Sequence, residues 1–417
     1  FYLEGGTAFN GTGTINIDGK NIILMIPGAS TTVSNNFTVG TVTSGSTYTL
    51  NAMVDSIYTY TGTAALESNG TLINGVRTAA YIGNPGGVYA NPGAENIGAI
   101  VLNGQYTAGG TLPAGMSAGV DGENAGTVIL GNASAGLYGT NGTRLGNTGT
   151  IQVNDNSGAI ITSGTGSLGQ NSGFISIGTN SQAIYVKNGD TVNNMAFGSI
   201  ESTGQKAVGL FADTVNTVVN DGYINMTGAN SMGIYTNYGI INNSSGKIIK
   251  LTGDNSVGLY ATNGTSVQNS GDIYINGAGI YATSYKADGI SQTFGDGKTS
   301  IVNSGTVTSG SKANSVGIYS RNNSGGTVSS NDFTLDLSSG EINMTGSSGG
   351  TAVYAEKTKV TDSGSTISVG EKGIALYAKD SDVTLNGSVI NLLGDNAIGF
   401  YLEGGTAFNG TGTINID

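Results

Sequence analysis

The side chains that carry most acid–base and nucleophilic chemistry are missing from this chain. Its 417 residues include no histidine and no cysteine, which removes imidazole bases, thiolate nucleophiles and thiolate metal sites. Chemistry would therefore fall to carboxylates, hydroxyls and tyrosine rings. Cutting a glycosidic bond needs two carboxylates facing it, yet the 27 acidic residues are thinly scattered. Glu201, Asp213 and Asp221 gather only in sequence, and no aromatic sugar platform accompanies them. Two acidic stretches, Asp121-Gly122-Glu123-Asn124 and Gly295-Asp296-Gly297, could each take Ca²⁺. Neither has the spacing of an EF-hand loop, and both read as solvated turns. Gly297-Lys298-Thr299 could close a phosphate-binding loop, but Gln292 stands where the first glycine belongs and no helix follows. The expectation is no enzyme, no catalytic residue, no cofactor and no metal.

Tyrosine is the more suggestive residue. A phrase recurs along the chain: Asn230-Ser231-Met232-Gly233-Ile234-Tyr235, then Asn255-Ser256-Val257-Gly258-Leu259-Tyr260-Ala261, then Asn314-Ser315-Val316-Gly317-Ile318-Tyr319, then Asn396-Ala397-Ile398-Gly399-Phe400-Tyr401. Looser copies end at Tyr138, Tyr185, Phe211, Tyr281, Tyr354 and Tyr377. A second phrase lies between the rings, as in Asn269-Ser270-Gly271-Asp272-Ile273-Tyr274-Ile275, with relatives at Asn171-Ser172-Gly173 and Asn303-Ser304-Gly305. A fixed period in this range is the signature of a solenoid, in which each repeat buries its apolar face against its neighbours.

The elements that must position these rings follow from the spacing. Apolar residues recur every second position, not every third or fourth, so no stretch reads as a helix. Strand formers sit between clusters of Gly, Asn and Ser, and Gly and Asn accept positive φ at tight corners. Two or three short strands per coil, stacked in parallel, predict an all-β right-handed parallel β-helix of about 24 residues per coil, roughly 16 to 17 coils in all. Alternation within the phrase places Val257, Leu259 and Ala261 inside, and Gly258 and Tyr260 outside. Each ring would then lean over the glycine or alanine two residues before it. The rings Tyr138, Tyr185, Phe211, Tyr235, Tyr260, Tyr281, Tyr319, Tyr354, Tyr377 and Tyr401 would form an external ladder, able to stack on sugars, to bind a partner protein, or merely to shield the sheet. Asn16, Asn225 and Asn343 point outward as well, where asparagines can share hydrogen bonds along the stack.

Composition bounds the rest. Glycine is abundant (72) and proline rare (4), without the triplet period of collagen. A net charge of −12 argues against nucleic acid and against an anionic membrane surface, and no apolar run is long enough to span a bilayer. Residues 1–18 recur unchanged as 400–417. Either a longer chain repeats with a period of 399 residues (400 − 1), or the two ends overlap. Residues 19–130 are the least regular, with strands, longer loops and turns such as Asn84-Pro85-Gly86-Gly87 and Asn91-Pro92-Gly93, or a small inserted subdomain. Residues 131–417 are regular. Wide gaps between rings place protruding loops at Ser284–Asp288, Phe294–Lys298 and Arg321–Asp336, where binding is usually found on a rigid scaffold.

The phrases Asn-Ser-Val-Gly-Ile-Tyr, Asn-Ser-Gly-x-Ile and Phe-Tyr-Leu-Glu-Gly-Gly-Thr-Ala-Phe resemble the passenger repeats of large fusobacterial autotransporter adhesins, over residues 130–417 and 1–18. The resemblance implies a type V secreted passenger displayed outside the cell and held at the outer membrane through a region outside this segment. It implies a rigid stalk and contact surface for host-cell, glycan or bacterial partners, with no insertion of this segment into the membrane. A fibre or surface array of tandem 399-residue repeats, associating end to end, is the alternative. A glycan-degrading β-helix is the minor one.

Overall fold

A computed structural model shows an all-β chain. It describes residues 1–43, 46–62, 65–68, 72–84, 86–90, 98–284, 299–322 and 333–417, and no helix occurs among them. The architecture is a parallel β-solenoid of about 15 turns, consistent with the expected right-handed parallel β-helix. The residues group into two compact units, Phe1–Phe211 and Ala212–Asp417.

In the first unit a regular turn holds three short strands, Arg144–Asn147, Thr150–Val153 and Gly158–Ser163. The next turn repeats them as Leu168–Asn171, Phe174–Ile177 and Gln182–Lys187. Pairing is parallel and in register on all three sheets, with Arg144 opposite Leu168, Thr150 opposite Phe174 and Ile160 opposite Ile184. The second unit stacks the same way: Ile241 pairs with Val267, Ile249 with Ile273 and Leu259 with Ile280. Some turns there are longer. Tyr281 pairs with Tyr319, 38 residues on (319 − 281), which is why fewer turns form than a uniform coil of about 24 residues implies. The loops expected at 284–288, 294–298 and 321–336 fall largely outside the described residues, as do the proline turns at 85 and 91–93.

One aliphatic row per sheet fills each interior. Leu145, Ile151 and Ile160 are fully buried in the first unit, and Ile241, Ile249 and Leu259 in the second. Burying each such side chain contributes roughly 1.5–3 kcal/mol. The irregular region follows the same pairing, Ile57 opposite Ala79 and Tyr60 opposite Ile82. Its interior differs, because Tyr48, Tyr58 and Tyr60 lie sealed inside. Gly62 and Gly86 make room for Tyr60: a Cβ at Gly62 would sit 2.5 Å from its hydroxyl oxygen, and one at Gly86 2.9 Å from its Cδ1.

The corners explain the polar letters of both phrases. The asparagine opening the ring phrase adopts left-handed backbone, at Asn156 and Asn180 in the first unit and at Asn230, Asn255, Asn314 and Asn396 in the second. The serine after this left-handed corner, which Ala133 occupies in an earlier turn, is buried and bonded turn to turn: Ser134 N donates to Ser157 Oγ and Ser157 N to Ser181 Oγ, each at 3.0 Å. The asparagine opening the second phrase turns inward at the first corner. Asn124, Asn147, Asn171 and Asn194 form a buried amide ladder with Nδ2···Oδ1 distances of 2.8, 2.8 and 3.0 Å. Asn220, Asn243, Asn269 and Asn303 do the same at 2.9, 2.8 and 2.8 Å. The amides of Asn124, Asn147, Asn171, Asn194 and Asn303 also serve their own corners, as when Asn147 Nδ2 donates to Gly149 O. Sequence reasoning placed an amide ladder outside, on Asn16, Asn225 and Asn343. On that outer row Asn225 sits opposite Lys250, and Asn391 with Asn415 is a bonded amide pair.

The phrase also departs from strict alternation. Val257 faces outward, half-buried, whereas Gly258 and Leu259 both face in. A Cβ at Gly258 would lie 2.6 Å from Ile273 Cγ2, and one at Gly279 2.4 Å from Val307 Cγ1. Two consecutive inward residues need one to be very small, so Gly recurs there and Ala375 serves in a later turn. The rings therefore do not cover these glycines. The glycine is small because a β-branched side chain from another sheet, Ile273 at Gly258 and Val307 at Gly279, occupies the space.

Residues 1–18 and 400–417 form like elements. Ala8–Ile17 and Ala407–Ile416 are both strands. The first pairs with 32–42 and the second with 382–392.

Candidate functional site

The outward row of the third sheet is where the two units differ. In the second unit this row reads Tyr235, Tyr260, Tyr281, Tyr319, Tyr354, Tyr377, Tyr401, each in register with the next. Successive ring centroids are 5.3, 5.0, 4.5, 4.7, 4.8 and 5.1 Å apart, and the rings are parallel within 20°. Parallel strands with identical residues in register bring this about, since their spacing of about 4.8 Å is close to a ring–ring contact. The expected external ladder is thus present, with seven members together. The geometry narrows its chemistry. Tyr260, Tyr281, Tyr319, Tyr354 and Tyr377 each have a ring against both faces, so edges and hydroxyls are what they offer a ligand. The row three residues earlier is mostly aliphatic and half-buried, with Met232, Val257, Ala278, Val316 and Ile374.

A charged row runs beside the last four phenols, with Arg321, Glu356, Lys379 and Glu403 two residues after Tyr319, Tyr354, Tyr377 and Tyr401. Arg321 Nε lies 3.1 Å from Glu356 Oε2, and Lys379 Nζ 3.3 Å from Glu403 Oε1. Tyr354 donates its hydroxyl to Glu356 at 3.0 Å, and Tyr377 donates to Glu403. These contacts keep the phenols protonated. Burial, then the bond to Glu356, pushes Tyr354 well above the usual phenol range. The bond to Glu403, then burial, pushes Tyr377 up to about 12. Glu403 is held below the usual carboxylate range by Tyr377 and Lys379. Burial beside Tyr319 and Tyr260 raises Tyr281.

In the first unit the same row reads Val101, Tyr138, Ile161, Tyr185. Tyr185 meets Phe211 edge-on, at 4.9 Å and 76°. Tyr138 has aliphatic neighbours in register and is 38% exposed. The row three residues before it holds Gly98, Ala135, Gly158 and Gln182. Val101 and Ile161 lean over the two glycines, whose Cβ atoms would lie 2.7 Å from Val101 Cγ2 and 2.5 Å from Ile161 Cδ1. A groove of about 470 Å³ results, floored by Val101, Tyr138 and Ile161 and rimmed by Ser134, Asn156 and Gln182. Among the described residues no charged one lines it. The sequence signal was available: the copy Gly158-Ala159-Ile160-Ile161 lacks the ring and has glycine where other copies carry a larger residue.

The carboxylates are engaged elsewhere. Glu201 belongs to the first unit and Asp213 and Asp221 to the second. Asp121 and Glu123, expected in a solvated turn, are fully buried. Arg144 clamps Asp121 through Nη2 at 2.7 Å and Nε at 3.1 Å, and the backbone N–H groups of Tyr106 and Arg144 add bonds at 2.9 and 2.8 Å. Glu123 accepts from Ser117 Oγ at 2.9 Å and from Ser117 N. These acids fasten the segment 104–120 to the solenoid. Residues 295–297 lie outside the described part, and among the described residues no cluster of three or more acidic groups could hold a metal ion.

Residues 155–329 match the family model of the third pectate lyase-like domain of BigA. That span is less than half of the chain. No curated protein and no solved structure matches. The likeness and the parallel β-solenoid together fit a bacterial autotransporter-like adhesin passenger, hence a surface-exposed bacterial protein.

Proposed function

We propose that this chain is a segment of a fusobacterial type V autotransporter passenger, displayed outside the cell and anchored at the outer membrane through another region. It acts as a stalk and contact surface for host-cell, glycan or bacterial partners, without catalysis or cofactor. The observation that carries this reading is the match of residues 155–329 to a pectate lyase-like domain of BigA on a parallel β-solenoid. Within that reading the uncharged Tyr138 groove is the favoured contact patch, because a ring with an open flank beside amide and hydroxyl groups suits an uncharged partner. The test is adherence of the labelled chain to cultured epithelial cells and to other bacteria. Saturable binding is expected, weakened in Tyr138→Ala. Absence of binding to every surface would overturn the reading.

A fibre of tandem 399-residue repeats is favoured by one specific observation, the identity and like folding of 1–18 and 400–417. Sedimentation at rising concentration separates the two readings, since only the fibre reading expects the chain to associate end to end without a ligand.

A further inference from the structure

We propose that the tyrosine ladder of the second unit is a site of oxidative cross-linking, in which Tyr354 and Tyr377 couple into a dityrosine bridge between successive turns. Three observations converge on that pair. The rings are in register, 4.8 Å apart and parallel within 4°. Each phenol donates to its own carboxylate, Tyr354 to Glu356 and Tyr377 to Glu403. Both rings belong to an unbroken stack that ends on Tyr401, which is 47% exposed.

The chemistry needs an oxidant, and the one named here is hydrogen peroxide acting through a haem peroxidase. Each phenol gives one electron to the oxidised peroxidase and its hydroxyl proton to the bonded carboxylate, which passes it to water. The two phenoxyl radicals join through ring carbons next to the oxygens, forming one C–C bond. The two ring hydrogens at the new bond then move to the oxygens and restore both phenols. Two phenols and one peroxide yield one bridge and two waters, so electrons and hydrogens balance. A phenol whose proton already points at a carboxylate loses electron and proton together, without first forming a cation. Exchange of the radical between rings about 5 Å apart lets an oxidant that touches only Tyr401 oxidise the pair further along. Tyr138 stands between Val101 and Ile161 in register, with no aromatic or carboxylate partner among the described residues, and the coupling does not extend to it.

The test treats the full chain, at high dilution, with horseradish peroxidase and hydrogen peroxide. Dityrosine fluorescence is followed, and linked peptides are mapped by mass spectrometry. The expected product is an intramolecular Tyr354–Tyr377 link with loss of two hydrogens. Tyr377→Phe abolishes that link, Glu403→Gln slows its formation about tenfold, and Tyr274→Phe, an exposed ring on another face, leaves it unchanged. Circular dichroism confirms that each variant keeps its β-structure, and Tyr354→Phe serves in place of any that does not. The proposal is overturned if no dityrosine forms, if the links fall between molecules or on Tyr274 or Tyr138, or if Glu403→Gln couples as fast as the parent.

Discussion

The two units share their corners and differ on one outer face. Both carry a fully buried asparagine ladder with bonds of 2.8–3.0 Å. Both use left-handed asparagines, and both fill the interior with one aliphatic row per sheet. The outward row of the third sheet is seven stacked tyrosines in the second unit. In the first it alternates Val101, Tyr138, Ile161 and Tyr185 over small residues. Corners and core are constrained because a buried amide or methylene has one place to go. The outer row meets water, so a ring, a valine or a glycine all satisfy the fold. That freedom is why surface chemistry can change between turns while the solenoid does not.

The largest effect should come from the Arg144–Asp121 clamp of the first unit. Arg144→Ala leaves Asp121 buried without its counter-charge; removing one partner of a buried pair costs about 3–5 kcal/mol, and the loss should fall at the low end because the Arg144 side chain is 30% exposed. Hydrogen exchange read by mass spectrometry should show lost protection around 104–124, with unchanged protection in residues 232–284. Equal loss in both units would mean that Asp121 is not a local fastening.

Next comes a pair that should behave alike. Asn171→Ala and Asn269→Ala each strand the amides above and below, and an unsatisfied buried polar group costs about 1–3 kcal/mol. Urea melts of the two variants should therefore shift similarly. A marked difference would show that the shared corner is not equivalent in the two units. The rings should behave unlike. Tyr281→Ser removes two stacked contacts, each worth about 0.5–1.5 kcal/mol, whereas Tyr138→Ser removes none and should stay within about 0.5 kcal/mol. Equal losses would mean that stacking adds nothing beyond the area each ring covers.

The contrast also shows what the sequence could reveal. The solenoid, its parallel strands and the external rings were legible, because repetition at fixed spacing leaves one way to bury Ile151, Ile175 and their counterparts. The inward glycines were misread. Alternation assumes a straight strand, and the bend at Gly258–Leu259 turns two neighbours to the same side. The buried amide ladder was misplaced because Asn-Ser-Gly reads equally well as a solvated turn. Only the stacked corner shows that Asn171 closes bonds to Asn147 and Asn194. Asp121 and Glu123 looked solvated for a similar reason, since Arg144 and Ser117 lie too far along the chain for a local pattern to join them. The Tyr138 groove came from an absence, a ring missing at Ile161 and a side chain missing at Gly158, which a search for recurring letters passes over.

The smallest effect concerns proton binding, and it separates two ways of raising a phenol pKa. Tyr60 of the first unit is pushed up to about 12 by burial. Tyr377 of the second reaches about 12 chiefly through its bond to Glu403. Both values lie above the ordinary 10 that the unfolded chain would show. A raised folded value means that the stability these groups contribute is fully present below pH 10. It declines as pH rises from 10 to about 12, where the folded phenols finally ionise. Ultraviolet titration of phenolate should accordingly show a late group near pH 12 that includes Tyr60 and Tyr377, with melting temperature falling between pH 10 and 12. Glu403→Gln should move one phenol of the late group down toward 10 and leave Tyr60 in place, because burial does not depend on a distant carboxylate. If the variant moved neither, the hydrogen bond would not be what holds the proton on Tyr377, and the second unit's phenols would be raised by enclosure alone, as in the first.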